Sequence, residues 1–222
     1  VTGPHLVAAV PVKDLVGAKQ RLSACLSPAE RQALAGAMLE DVLEALARSP
    51  VDETWVVTGD PAAGTLATRH GARCLHEAVN RGHTQAVALA QRQAVARAAA
   101  VFLTIPGDVP AATPAEVAAL VAALPAGPGA ALVPSRSGLG TNAALLRPPD
   151  AMPLRFGEPS FDDHVEAART RDLGPVVLTL PGLGLDIDDP ADLLELLGRA
   201  PTTRSAALLE TWGVRARLAG GG

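Results

Sequence analysis

Short apolar runs alternate with capped, amphipathic stretches through the first half of the chain, and few folds accommodate that order. Leu6 to Val12, Thr54 to Thr58, Ala72 to Leu75 and Val101 to Ile105 read as strands. Between them, Ser27-Pro28-Ala29-Glu30 opens a helix expected to run to Arg48. Ser caps, Pro takes the first helical position and Glu reaches back to the cap. Leu34, Met38, Val42 and Leu46 recur four apart and share one face of that helix. Asp60-Pro61 opens a short helix, and an Ala-rich helix is expected from near Thr84 to Ala100. A β-α-β-α-β-α-β series of this kind implies a parallel sheet with right-handed crossovers.

The second half continues with less regularity. Thr113-Pro114-Ala115-Glu116 repeats the capping signature and starts a helix ending near Leu124. Ala130 to Val133, Ala143 to Leu146 and Val176 to Leu180 read as strands. Asp162 to Arg169, a helix capped by Asp189-Pro190 through Leu197, and Thr203 to Trp212 read as helices. There is no internal repeat and no long linker, so a single α/β domain over 1–219 is expected, with 220–222 a flexible Gly tail.

Composition excludes several functions. Hydrophobic content of 48% against 19% charged residues marks a globular chain. Aromatics are 2% and Tyr is absent, which argues against a stacking platform for single-stranded nucleic acid. A net charge of −4 argues against a phosphate-backbone footprint. No run of apolar residues is long enough to span a membrane. The N-terminus lacks the basic segment and apolar core of a signal peptide, so a cytoplasmic location is expected. Cys25 and Cys74 match no CxxC pattern, and no disulfide is expected.

Polar motifs fall at the expected strand ends. Asp108, in Pro106-Gly107-Asp108-Val109-Pro110, follows the strand ending at Ile105. Thr113 already caps the next helix, which frees Asp108 for a metal role; Mg²⁺ takes oxygen ligands and bridges to substrate phosphates. Asp186 and Asp188 are two apart on an extended segment and share a face, while Asp189 caps the helix after them; a multiply capped helix start is the plainer alternative for the segment. With Asp108 they form a candidate set for Mg²⁺. Lys13, Lys19 and Arg21 follow the first strand and suit a triphosphate, although the P-loop spacing is absent. A solvated basic loop is the plainer alternative for that segment.

Gly138-Leu139-Gly140-Thr141-Asn142 and Phe156-Gly157-Glu158-Pro159-Ser160 can cradle an anion through backbone N–H groups; ordinary turn chemistry is the alternative for both. The five histidines show no metal-ligand spacing, and no nucleophile elbow is present. His164 follows the Ser160 loop, where a site role and a structural role are equally open. Trp55 and Trp212 read as packing residues.

Together these segments resemble the 2-phospholactate or phosphoenolpyruvate guanylyltransferases of coenzyme F-420 biosynthesis. The resemblance rests on Val10-Pro11-Val12-Lys13 with Ala18-Lys19-Gln20-Arg21-Leu22-Ser23, Gly107-Asp108-Val109-Pro110, Gly140-Thr141-Asn142-Ala143, Phe156 to Phe161 with His164, and Asp186 to Leu193. The motifs stand in the family's order and span nearly the whole chain.

The resemblance implies a nucleotidyltransferase of the glycosyltransferase-A-like, Rossmann-like kind with a mostly parallel central sheet. It implies GTP and Mg²⁺, with a phosphorylated three-carbon acid as acceptor: 2-phospho-L-lactate, phosphoenolpyruvate or 3-phospho-D-glycerate. Asp108, Asp186 and Asp188 would hold metal; Thr141, Gly157 and Ser160 the acid; Lys13, Lys19, Arg21 and Thr84 the GTP. Asp108, Asp188 and Lys19 would carry catalysis, and a homodimer is compatible. Two departures stand out. Gly82-His83-Thr84-Gln85-Ala86 replaces the family's usual Leu-Asn after Gly, and Asp108-Val109-Pro110 replaces Asp-Leu-Pro. The first bears on guanine preference. A related transferase acting on a sugar phosphate or a molybdenum-cofactor pterin, or a non-catalytic nucleotide-binding module, are the alternative readings.

Overall fold

The computed structural model describes residues 5–77, 79, 81–199 and 202–219; the expected Gly tail, 220–222, lies outside them. The strands are β1 (Leu6–Pro11), β2 (Glu53–Thr58), β3 (Arg73–His76), β4 (Val101–Thr104), β5 (Gly129–Pro134), β6 (Thr141–Arg147) and β7 (Val176–Val177). They form one seven-stranded sheet in the order β3-β2-β1-β4-β6-β5-β7. β1 pairs in parallel with both β2 and β4, and β2 with β3. β6 runs antiparallel to β4 and β5, so the sheet is mostly parallel but mixed.

Eight helices accompany it among the described residues: α1 (Pro28–Ala47), α2 (Pro61–Arg69), α3 (His83–Ala96), α4 (Pro114–Ala123), α5 (Phe161–Arg169), α6 (Pro190–Arg199), α7 (Arg204–Thr211) and α8 (Val214–Ala219). Alternate strand residues feed two cores, as the period of a strand requires. Leu6, Ala8 and Val10 of β1 pack with Leu34, Met38 and Val42 of α1, together with α4, α6 and α7. Val7 and Ala9 face the other way, into a core with Val87 and Ala90 of α3 and Val165 of α5. Strands covered on both faces read as continuous apolar runs, and β1 is buried along its whole length.

The caps form as expected. Ser27 and Glu30 close a reciprocal capping box on α1, and Thr113 and Glu116 do so on α4. Asp60 Oδ1 accepts from Ala62 and Ala63 at the start of α2.

Several ends differ from expectation. α3 stops at Ala96, four residues early, because Ala98 adopts a positive φ of 55° and turns the chain toward β4. β7 keeps only two of the five residues read as strand. Gly213, at φ 64°, breaks the C-terminal helix and allows α8, which periodicity did not reveal. The segment after β1 contains a 3-10 helix, Gln20–Ala24, that the sequence pattern does not signal.

Candidate active site

The strand order reverses between β1 and β4: β2 lies on one side of β1 and β4 on the other. Open α/β sheets bind ligands in the crevice beyond the carboxyl ends at such a point. The carboxyl end of β1 delivers the Lys13–Arg21 loop, and that of β4 delivers Pro106-Gly107-Asp108. β6 is antiparallel, so its first residues, Thr141 and Asn142, emerge at the same edge; its register pairs Ala144 with Thr104. Gly107 is where the two strand exits crowd. A Cβ there would meet Val12 Cγ2 at 3.2 Å and Val10 Cγ1 at 3.5 Å.

The three expected carboxylates gather at this edge. Ile187 is fully buried, and its N–H donates to the Asp108 carbonyl oxygen at 3.0 Å, tying the two acidic segments together. Asp186 and Asp188 flank it. Asp186 Oδ1 accepts from Asn142 Nδ2 at 3.1 Å. Burial raises the Asp186 pKa above its ordinary value; the Asn142 bond opposes this, and the Asp108 and Asp188 charges add to it. Capping falls to other residues: Asp189 Oδ1 accepts from Ala191 N, and Asp192 Oδ2 from the N–H groups of Asp188 and Asp189.

Lys19 lies between two of these carboxylates. Its Nζ donates to Asp108 Oδ2 at 2.5 Å and to Asp188 Oδ1 at 3.1 Å. The side chain is 9% exposed. Burial works against its charge, yet the two carboxylates outweigh burial and hold its pKa above the usual lysine value. Arg21 reaches Asp188 Oδ2 at 3.7 Å with its own side chain 75% exposed. Lys13 is exposed at the mouth.

Two clefts meet here. One, of about 660 Å³, is lined by the Lys13–Arg21 loop, Gly107 and Asp108. The other, of about 520 Å³, is lined by Arg81 to Thr84, Gly140 to Asn142, Gly157, Ser160 and Asp186. Lys13, His83, Pro106, Asp108 and Asp188 belong to both. A cavity of about 670 Å³ lies apart, between α1, α4 and the start of α7. Its Arg48 and Arg204 are already paired with Glu44, and it holds none of these carboxylates.

The second cleft is built on a buried relay. His164 Nε2 accepts from Arg155 N at 2.9 Å, which leaves Nδ1 as the protonated nitrogen facing Thr141 Oγ1 at 2.8 Å. Ser160 Oγ also donates to Thr141 Oγ1, at 3.4 Å. Thr141 therefore receives two hydrogen bonds and keeps its own O–H to donate. Burial depresses the His164 pKa to about 4, so the ring is neutral at pH 7. Gly157, at φ 141°, adopts a conformation that a side chain would strain.

Thr84, expected to contact the nucleotide, lines the second cleft and is also bonded to the Phe156 backbone. Its Oγ1 accepts from Phe156 N at 2.9 Å and faces Phe156 O at 3.3 Å, clipping the Phe156–Ser160 loop to α3. Sequence reasoning also missed two neighbours. Arg81 lines the second cleft as an added cation. His83 packs 4.3 Å from the Phe156 ring, and its buried Nε2 has no hydrogen-bond partner. Burial lowers its pKa to about 4. The only sequence signal for His83 was its place in the segment that departs from the family.

A mixed sheet with this crevice, cations at one mouth and carboxylates at the junction, is the arrangement a nucleotidyltransferase requires. Solved structures agree on the fold: a nucleotidyl transferase from Methanothermobacter thermautotrophicus superposes with a TM-score of 0.64 at 18% identity, covering 94% of this chain and 100% of its own. CMP:2-keto-3-deoxy-manno-octonic acid synthetase complexed with CTP gives 0.57 at 15% identity, covering 87% of this chain and 97% of its own.

The family model described as "Guanylyl transferase CofC like" matches residues 6–219, and the chain belongs to that guanylyltransferase family. A phosphoenolpyruvate guanylyltransferase of Sphaerobacter thermophilus is 44% identical over 201 residues, covering 90% of this chain and 96% of the relative. A 2-phospho-L-lactate guanylyltransferase of Methanothermobacter thermautotrophicus is 37% identical, covering 86% and 83%. A 3-phospho-D-glycerate guanylyltransferase of Colwellia psychrerythraea is 35% identical, covering 91% and 97%.

Proposed function

We propose that this chain transfers GMP from GTP to a phosphorylated three-carbon acid, as in coenzyme F420 biosynthesis, with release of pyrophosphate. The observation that carries this is the pair of clefts joined at Asp108 and Asp188. One presents cations suited to a triphosphate. The other presents a hydroxyl, backbone N–H groups and Arg81, suited to a small phospho-acid.

In this reading the acid's phosphate lies against Thr141, Gly157 and Ser160, and one of its oxygens faces the α-phosphorus of GTP. That oxygen attacks in line, a new P–O–P bond forms, and the bond from the α-phosphorus to the bridging oxygen breaks. The electron pair leaves with pyrophosphate. A phosphate monoester is largely dianionic at pH 7, so no protein base has to remove a proton. Lys13, Lys19 and Arg21 stabilise charge gathering on the leaving group. Thr84 acts by holding the Phe156–Ser160 loop, and the Thr141 O–H donates to the acid.

The donor set suits Mg²⁺. Among the described residues no three His, Cys, Asp or Glu side chains form a ready-made metal group. Mg²⁺ does not demand one, because it usually takes one or two carboxylates plus substrate phosphates. Asp108 and Asp188, whose side chains are 31% and 48% exposed, are the accessible hard oxygens, with Asp186 behind them. Bound there, Mg²⁺ would neutralise phosphate charge and polarise the α-phosphorus.

The test is pyrophosphate release from GTP and Mg²⁺, with phosphoenolpyruvate, 2-phospho-L-lactate and 3-phospho-D-glycerate in separate reactions and mass spectrometry of each product. Release with one acid and a product of matching mass names the acceptor. No release with any acid overturns the reading and directs attention to other acceptors, sugar phosphates first.

A further inference from the structure

Lys19 already does to Asp108 and Asp188 what a metal ion would do. One ammonium bridges two carboxylate oxygens that belong to segments 80 residues apart, at 2.5 and 3.1 Å. A divalent cation that used the same oxygens would compete with it for lone pairs and repel it as a like charge. The two cations exclude each other on these atoms.

The segment that delivers Lys19 is anchored at both ends and exposed between them. Leu15 and Leu22 are buried and fix the two ends of the segment. Leu15 N also donates to Asp60 Oδ2 at 2.8 Å. Between these anchors, Val16 and Gly17 are exposed. Lys19 itself adopts the left-handed conformation, φ 54° and ψ 44°, with a full side chain. Such residues store strain that their surroundings must offset, and they cluster at switch segments. The ion pair with Asp108 and Asp188 holds Lys19 there, together with the Leu22 N–H bond to the Lys19 carbonyl oxygen at 3.0 Å.

We propose that Lys19 is an internal counter-cation for Asp108 and Asp188, displaced onto the GTP phosphates as the metal–nucleotide complex arrives. This rests on the assignment of those carboxylates to Mg²⁺ above and extends it to an order of events. Metal alone meets a pair of carboxylates already neutralised by Lys19. GTP supplies a better partner for the ammonium, because a phosphate accepts a charge-assisted bond of the same kind. Metal binding then becomes conditional on nucleotide. The carboxylates are also kept together, without mutual repulsion, until it comes.

The test uses Mn²⁺ as the probe and its electron paramagnetic resonance signal as the readout, without nucleotide, on the full chain. Lys19→Met keeps the length and removes the charge; circular dichroism and a melting curve check that it folds. Expected is an increase in Mn²⁺ affinity on the order of tenfold or more over wild type, the scale of removing one like charge beside the ion. Lys19→Arg, which keeps the charge, stays as weak as wild type. The gain disappears when Asp108→Asn is added to Lys19→Met. No gain in Lys19→Met, while wild type with GTP binds Mn²⁺ through Asp108, overturns the counter-cation alone. A gain that survives Asp108→Asn overturns the metal assignment, and the counter-cation with it.

Discussion

At the scale of single residues, roles separate by what each polar atom is already bonded to. Asp189 and Asp192 are occupied with backbone N–H groups, whereas Asp108 and Asp188 are held by the Lys19 ammonium. Asp108→Asn keeps the shape and removes the charge. Turnover is expected to fall by at least ~100-fold, the scale of losing a preorganised electrostatic partner. Near-normal turnover in a folded protein would remove Asp108 from the metal set. His164 makes a prediction about pH. Its folded pKa is about 4, against an ordinary 6.5. Between those values the unfolded chain binds more protons than the folded one, so stability is complete above the higher value and declines as pH falls toward the lower. The limit is on the order of 3 kcal/mol. Urea unfolding across this window should show the decline, with a shallower slope in His164→Asn; an unchanged slope would assign the loss to other groups.

At the scale of elements, the acidic segment before α6 depends on a close backbone approach. Gly182 N donates to Glu116 Oε1 at 2.7 Å. A Cβ on Gly182 would fall well inside contact distance of the Ala111 carbonyl oxygen. Backbone cannot step aside as a side-chain tip can. Gly182→Ala is therefore expected to cost about 1–3 kcal/mol by denaturant unfolding. Turnover should fall as well, because the segment that moves carries Asp186 and Asp188. A loss of stability with full turnover at saturating substrate would show that the segment shifts without disturbing the site. The cap of α1 tests a local rule alone. Ser27→Ala should cost about 1 kcal/mol and leave kcat unchanged, since Ser27 lies away from both clefts.

At the scale of the whole molecule, two clefts lined by distant stretches of chain meet at Asp108 and Asp188. Ligand binding should therefore be read in global stability. With Mg²⁺ present, GTP at 100 times its dissociation constant is expected to add about 2.7 kcal/mol to unfolding. ATP, CTP and UTP at the same concentration should add less. Equal stabilisation by all four would mean that the base is not selected, which is the consequence the His83-Thr84 departure makes worth measuring.

Much of this was written locally. Strand runs, capping boxes and the Gly107-Asp108 and Asp186-Ile187-Asp188 motifs are legible because periodicity, helix caps and strand alternation act over a few residues. The family order of the motifs added the reaction. What the tertiary structure alone decided are matters of register, direction and competition for bonds. Antiparallel β6 brings Thr141 and Asn142 to the edge where β1 and β4 end. Ala98 ends α3 with neither Gly nor Pro to announce it. Thr84 bonds the Phe156 backbone, His164 fixes the Thr141 hydroxyl, and Lys19 bridges Asp108 to Asp188. Each depends on atoms distant in sequence coming within about 3 Å, a distance hydrogen bonds demand and local propensity cannot specify.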